Sequence, residues 1–85
     1  MEKLTTQQKN TIRSLFTDLR SHRRKRRMNQ MEFWMPLGVT QSGGSRYESV
    51  RTVPTATAIL LALREIGVVC DDDLHAVRKL VEPQR

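Results

Sequence analysis

The chain has 85 residues and carries 15 Lys and Arg against 9 Asp and Glu, a formal net charge of +6. That length makes one domain of residues 1–85 with a modest core, and excludes a second domain built around a metabolite or an enzyme active site. The basic balance favours a polyanionic partner, the single Cys70 excludes an intrachain disulfide and suits a reducing compartment, and no segment has the apolar length of a signal peptide or a membrane span. A soluble cytoplasmic protein is the expectation.

Thr5-Thr6-Gln7-Gln8 has the form of a capping box, with Thr5 as cap and Gln8 reaching back. Ile12, Leu15, Phe16 and Leu19 then recur at helical spacing, which predicts a first helix over residues 6–26, bent or broken along its length. Asn29 is placed to cap a second helix over 30–37, and Thr40 a third over 41–49. Between them Leu37-Gly38-Val39 forms a tight turn, where Gly38 supplies the permissive backbone. Pro36 removes one hydrogen bond late in the second helix, a small cost near a helix end. Residues 51–54 read as a linker, and Thr55 as the cap of a fourth helix over 56–66 that Gly67 stops. Val68-Val69-Cys70 is a short extended piece at most. Asp71 is the expected cap of a fifth helix over 72–82, whose acidic start and late Arg78 and Lys79 suit the helix dipole. The pattern is all-α, with no strand pair and no internal repeat.

Two short helices joined by a tight turn, the second opening with Gln41, Ser42, Ser45 and Arg46, have the form of a helix-turn-helix over residues 30–49. Gln pairs bidentately with adenine in the major groove, Arg pairs likewise with guanine, and serines adapt to either. In isolation such a helix would be an ordinary polar surface; inside this motif base contact is the stronger reading. Gly43 and Gly44 each cost about 1 kcal/mol in a helix. Their presence points either to close approach, by DNA at Gly43 and by a core side chain at Gly44, or to a weak helix that orders on binding; close packing is the stronger reading at Gly44, and at Gly43 the two are even.

Through Arg23, Met28-Asn29-Gln30, Phe33, Leu37-Gly38-Val39-Thr40-Gln41, Arg46-Tyr47-Glu48 and Pro54 before an aliphatic helix, residues 15–66 resemble the Cro/cI (XRE-type) helix-turn-helix repressors. The small size and the run GVTQSGGSRYES resemble more narrowly the KorC-type repressors of broad-host-range plasmids. The resemblance implies a five-helix DNA-binding domain acting as a homodimer on a palindromic operator to repress plasmid genes. It implies base contacts by Gln41, Ser42 and Arg46, a backbone contact by Gln30, and an ion pair between Arg23 and Glu48 that ties the first helix to the third. It also marks departures. A small residue is usual where Trp34 stands and a buried Ile or Val where Gly44 stands, so the indole is expected to fill the space that Gly44 leaves. A left-handed Gly is usual where Val50 stands, so either the turn differs locally here or Val50 is a strained, mildly destabilising residue, native or substituted.

Asn29 and Gln30 open the second helix, where free N–H groups suit a phosphate. Thr40, Ser49, Arg51, Arg26 and Arg27 are further candidates for the DNA backbone, contacts that position without reading sequence. Arg24 and Lys25 read as solvated. The stripe Leu74, Val77, Leu80 and Val81 of the fifth helix must bury itself either on the chain's own core or against the same helix of a second copy, and the dimer is the stronger reading. His22 and His75 read as surface residues, and Asp71-Asp72-Asp73 as a helix start rather than a metal cluster. Ser42-Gly43-Gly44-Ser45 lacks the Lys-Ser/Thr of a phosphate-binding loop. No enzyme, metal, cofactor, membrane partner or small-molecule ligand is predicted. The competing reading is the DNA-binding antitoxin of a toxin–antitoxin pair, wrapping its toxin with residues 1–14. A weaker one is an RNA binder, which would need exposed stacking aromatics, whereas the aromatics here sit at core-like positions.

Overall fold

The structure, a computed structural model, describes residues 3–82. It contains six α-helices: α1 (Thr6–Thr17), α2 (Leu19–Lys25), α3 (Gln30–Trp34), α4 (Gln41–Val50), α5 (Thr55–Glu65) and α6 (Asp71–Val81), with a 3₁₀ turn at Met35–Leu37. The count exceeds the predicted five because the first helix divides at Asp18. That residue is extended, with φ −154° and ψ 93°, and its carboxylate accepts from Ser21 N at 3.0 Å, which ends α1 and caps α2. Asp at such a position competes with helix continuation through its own side chain.

Thr5 and Gln8 form their capping box, with both bonds at 3.0 Å. Asn29 and Glu32 form another at the start of α3. Pro36 has no N–H to give, so α3 tightens into the 3₁₀ turn, and Gly38 at φ +79° reverses the chain. Thr40 Oγ1 accepts from Gly43 N at 3.0 Å and starts α4. Three boundaries differ from expectation. Val50 is the last residue of α4, and the left-handed conformation falls one residue later, on Arg51 at φ +59°. The expected strain at Val50 is therefore absent. Thr55 is the first helical residue of α5 rather than its cap, because the extended Pro54 already offers its carbonyl to Ala58 N at 2.8 Å. Cys70, not Asp71, holds the cap position of α6, with its N–H given to Asp73 Oδ2 at 2.9 Å. Residues 68–70 form a turn after Gly67 at φ +86°, and no strand occurs among the described residues.

Leu15, Leu19, Phe33, Trp34, Leu37 and Leu61 form the buried core, with Phe16, Tyr47, Leu60 and Leu74 packed around it. α1 lies on α5, α3 on α4, and α6 against the 3₁₀ turn, so the helix-turn-helix is held from behind. Trp34 is fully buried and meets Phe33 and Tyr47 edge to face, with ring centroids 5.2 and 5.6 Å apart. The indole occupies the space beside Gly44: a Cβ added there would fall onto Trp34 Cδ1 and Cγ.

A second buried group was not foreseen. Glu65 at the end of α5 accepts from His22 Nε2, Arg26 Nη1 and Arg64 Nε, each at 2.7 Å. Burial alone would raise its pKa, but the bonds from His22 and Arg64 and the charges of Arg64 and Arg26 outweigh that and hold it at about 2. Arg64 also donates to Phe33 O at 2.6 Å and lies over the Phe33 ring at 4.5 Å. His22 is thus a mostly buried link between α2 and α5, not the expected surface residue, while His75 is exposed. No helix among the described residues is long and apolar enough to cross a membrane.

Candidate nucleic-acid interface

α4 turns Gln41, Ser42 and Arg46 to solvent, with Ser45 half-buried between them. They sit on one face because positions three and four apart are neighbours on a helix. Together with Gln30 they line one shallow, open depression of about 480 Å³. The walls are amide, hydroxyl and guanidinium groups, the chemistry that reads base edges. Ser49 lies one turn beyond Ser45 and donates its hydroxyl to Ser45 O at 3.0 Å. Gly43 is tighter than its surface position implies, since a Cβ there would lie 3.2 Å from both Thr40 Oγ1 and Val39 Cγ1.

Beneath this face Glu48 fixes how α4 is rotated. Its side chain is fully buried. Arg23 approaches it bidentately, Nε to Oε2 at 2.8 Å and Nη2 to Oε1 at 3.0 Å. Trp34 Nε1 donates to Oε2 at 2.8 Å and Gln30 Nε2 to Oε1 at 3.4 Å. Burial opposes ionisation, yet the bonds from Arg23, Trp34 and Gln30 prevail and keep the carboxyl below its usual range. Arg23 and Glu48 thus face one another at pairing distance, with Arg23 also donating to Met28 O at 2.9 Å. The indole N–H as a third donor was not read from the sequence; the signal available was only a large polar-tipped aromatic opposite a glycine.

The flanks hold the expected backbone-contact residues in unequal states. Asn29 gives both its N–H and its side-chain oxygen to the capping box with Glu32. Thr40 uses its oxygen as a cap. Arg26 is drawn to Glu65, on the side of α2 that meets α5. Arg27 is exposed and left-handed, at φ +56°, just before Asn29. Ser49 and Arg51 share a second polar hollow of about 390 Å³ with Asp18, Arg20 and Glu48. Arg20 was not singled out from sequence, because it stands alone before the basic run Arg23–Arg27 with nothing to mark it.

On the far side, Leu74 of α6 turns into the chain's own core, whereas Val77, Leu80 and Val81 are 56, 87 and 71% exposed. Val77 and Val81, but not Leu80, line a mainly apolar groove of about 440 Å³ together with Pro36, Leu37, Leu60, Val69 and Leu74, with Asp73, Arg78 and Glu82 as its charged members, a concavity the sequence did not announce. No cluster of His, Cys, Asp and Glu suited to a metal occurs among the described residues.

No curated protein and no solved structure matches the chain. The profile of one family does, over residues 20–64, which run from α2 to the penultimate residue of α5 and include the whole helix-turn-helix. That span is just over half the chain and coincides with the elements that carry the polar face of α4, and on that match the chain belongs to the family of the RsaL-like HTH domain.

Proposed function

We propose that this protein is a transcriptional repressor that binds duplex DNA sequence-specifically, as a homodimer on a palindromic operator of plasmid genes. The observation that carries the DNA reading is the convergence of Gln30, Gln41, Ser42, Ser45 and Arg46 on one open face of the second helix of a helix-turn-helix. Gln41, Ser42, Ser45 and Arg46 read base edges; Gln30, Thr40, Ser49 and Arg51 hold the backbone on either side. The resemblance to Cro/cI repressors supports the repressor role, and the KorC-like run GVTQSGGSRYES supports the plasmid setting. The homodimer is supported by the exposed Val77, Leu80 and Val81 beside an apolar groove. A single recognition helix reaches few bases, and two of them about 34 Å apart fit successive major-groove turns.

The alternative is an antitoxin that wraps its toxin with residues 1–14: Met1 and Glu2 lie outside the described residues, and from Thr6 onward that segment belongs to helix α1, whose buried residue, Leu15, lies just beyond it.

Selection of bound duplexes from a random pool tests the proposal. The expected product is a palindrome whose half-sites are one helical turn apart or a multiple of it. Arg46→Ala is then expected to lose about 1–3 kcal/mol and to relax preference at one base pair per half-site. A pool that stays random would overturn sequence-specific binding, and an equal loss on every sequence would make Arg46 a phosphate contact.

A further inference from the structure

Glu48 Oε1 has a neighbour on each side along α4. Gln30 Nε2 lies 3.4 Å away towards the recognition depression. Arg20 Nε lies 3.5 Å away on the other side, in the hollow that contains Ser49 and Arg51. Arg20 is anchored at one edge by the buried carboxylate, yet its side chain remains 45% exposed. Ser49 is on the same face of α4 as Ser45, so the second hollow continues the recognition face past its C-terminal end. Arg51 enters from the left-handed residue that ends α4, which sets its side chain apart from the helix face behind it.

We propose that Arg20, with Ser49 and Arg51, forms a clamp for a DNA backbone phosphate at the C-terminal end of the recognition helix. This rests on the DNA-binding reading and adds a contact to it. The physical logic is that Glu48 already has its charge balanced by the bidentate Arg23. Arg20 is therefore a surplus cation, oriented by Glu48 without being consumed by it. A guanidinium held in place loses less freedom on binding a phosphate than a free surface arginine. Asp18 is the opposing group in the hollow. Its carboxylate is committed to Ser21 N as the cap of α2, and it subtracts one negative charge from the two positive ones that face the phosphate. Asp18 thus weakens the clamp while it keeps the helix in place.

Two substitutions with opposite expected signs test this. Arg20→Ala is expected to weaken binding about tenfold on the selected duplex and on an unrelated duplex of equal length alike, in the range of a lost charge-assisted bond. The slope of log affinity against log salt should fall by about one per subunit. Asp18→Asn keeps a good cap and removes the repelling charge, so it should tighten binding to both duplexes with no loss of melting temperature. An unchanged salt slope in Arg20→Ala, whether or not its melting temperature falls, would make Arg20 only a partner of Glu48 and overturn the clamp. So would Asp18→Asn binding no tighter than the wild-type chain. If the wild-type chain binds neither duplex, the DNA reading itself fails; if it binds and Arg46→Ala behaves as expected while Arg20→Ala does not, only the clamp fails.

Discussion

Gly44→Ala sets two effects of opposite sign against each other. Ala is the better helix former by about 1 kcal/mol, so a helix considered alone would gain. The added methyl, however, falls onto Trp34 Cδ1 and Cγ and lies 2.8 Å from Nε1. Trp34 has no room to retreat, being fully buried between Phe33 and Tyr47. Its N–H is also bound to Glu48 at 2.8 Å, so a tilt of the ring loosens a bond to a charged group. Overpacking costs about 1–3 kcal/mol and a weakened charge-assisted bond about 1.5–3 kcal/mol. The net expectation is a loss of about 1.5–5 kcal/mol once the helix gain is subtracted. Denaturant unfolding of the free protein measures it. Trp34→Ala alone should cost about 3–5 kcal/mol through the cavity it leaves. Combining Trp34→Ala with Gly44→Ile should be much less harmful than the sum, because the new side chain refills that cavity. A Gly44→Ala protein as stable as the parent, or more so, would refute the placement of the indole. Strict additivity in the double variant would do the same.

Glu65→Ala is expected to destabilise the fold by about 3–5 kcal/mol, because it strands the buried Arg64; a thermal melt measures it. The same carboxylate predicts acid lability. Its pKa is lowered from 4.5 unfolded to about 2 folded, so its contribution, about 3 kcal/mol, is complete above pH 4.5 and disappears as pH falls towards 2. Unfolding followed from pH 6 to pH 2 should show that loss, and Glu65→Gln should flatten the profile. Val50→Gly, at the exposed last residue of α4, is expected to cost no more than about 0.5 kcal/mol, whereas Arg51→Gly should be neutral or stabilising by up to about 1 kcal/mol, since of the two only Arg51 is left-handed. Paired melts decide this, and the reverse order would move the turn back to Val50. Val77→Asp should yield monomers that keep the fold but lose most affinity for a palindrome; sedimentation and titration of one preparation read both, and a dimer that binds normally would place the interface away from α6.

Local signals made most elements legible. Thr5, Asn29, Thr40 and Gly38 each act within a few residues, and each sits where its short-range chemistry indicated. The division of the first helix was foreseen without its location, because Asp18 is an unremarkable residue until its cap on Ser21 is seen. Cys70 gave no warning of its place before α6, since Asp73 makes the cap bond to its backbone and the Cys side chain is not what defines it. The offset at Val50 has a different origin. The Cro/cI-like pattern has its left-handed residue at the position of Val50, and a helix end shifts by one residue whenever the last hydrogen bond does; here Arg51 N still bonds Tyr47 O at 2.9 Å. Glu65 was illegible for a more general reason. Its partners lie on α2 and α5, up to 43 residues away, and no periodicity in the sequence connects them.

A buried carboxylate on the helix proposed to meet a polyanion is at first sight misplaced. The burial of Glu48 and its bidentate partner answer that: the charge is balanced by Arg23 below the surface and does not face solvent. What it contributes is orientation more than stability, since buried ion pairs return little net free energy against desolvation. α4 carries two glycines, which cost it about 2 kcal/mol in helix propensity relative to alanines, and four of its ten residues are serine or glycine within the run Gln41–Arg46. Such a helix would not hold its shape alone. Its order comes from the contacts behind it, where Gly44 admits the indole and Glu48 collects donors from α2 and α3. The polar side chains that face outward are therefore aimed from behind, by the buried Arg23, Trp34 and Glu48. The same glycine that weakens α4 lets it approach α3 closely enough for the Trp34 N–H to reach Glu48.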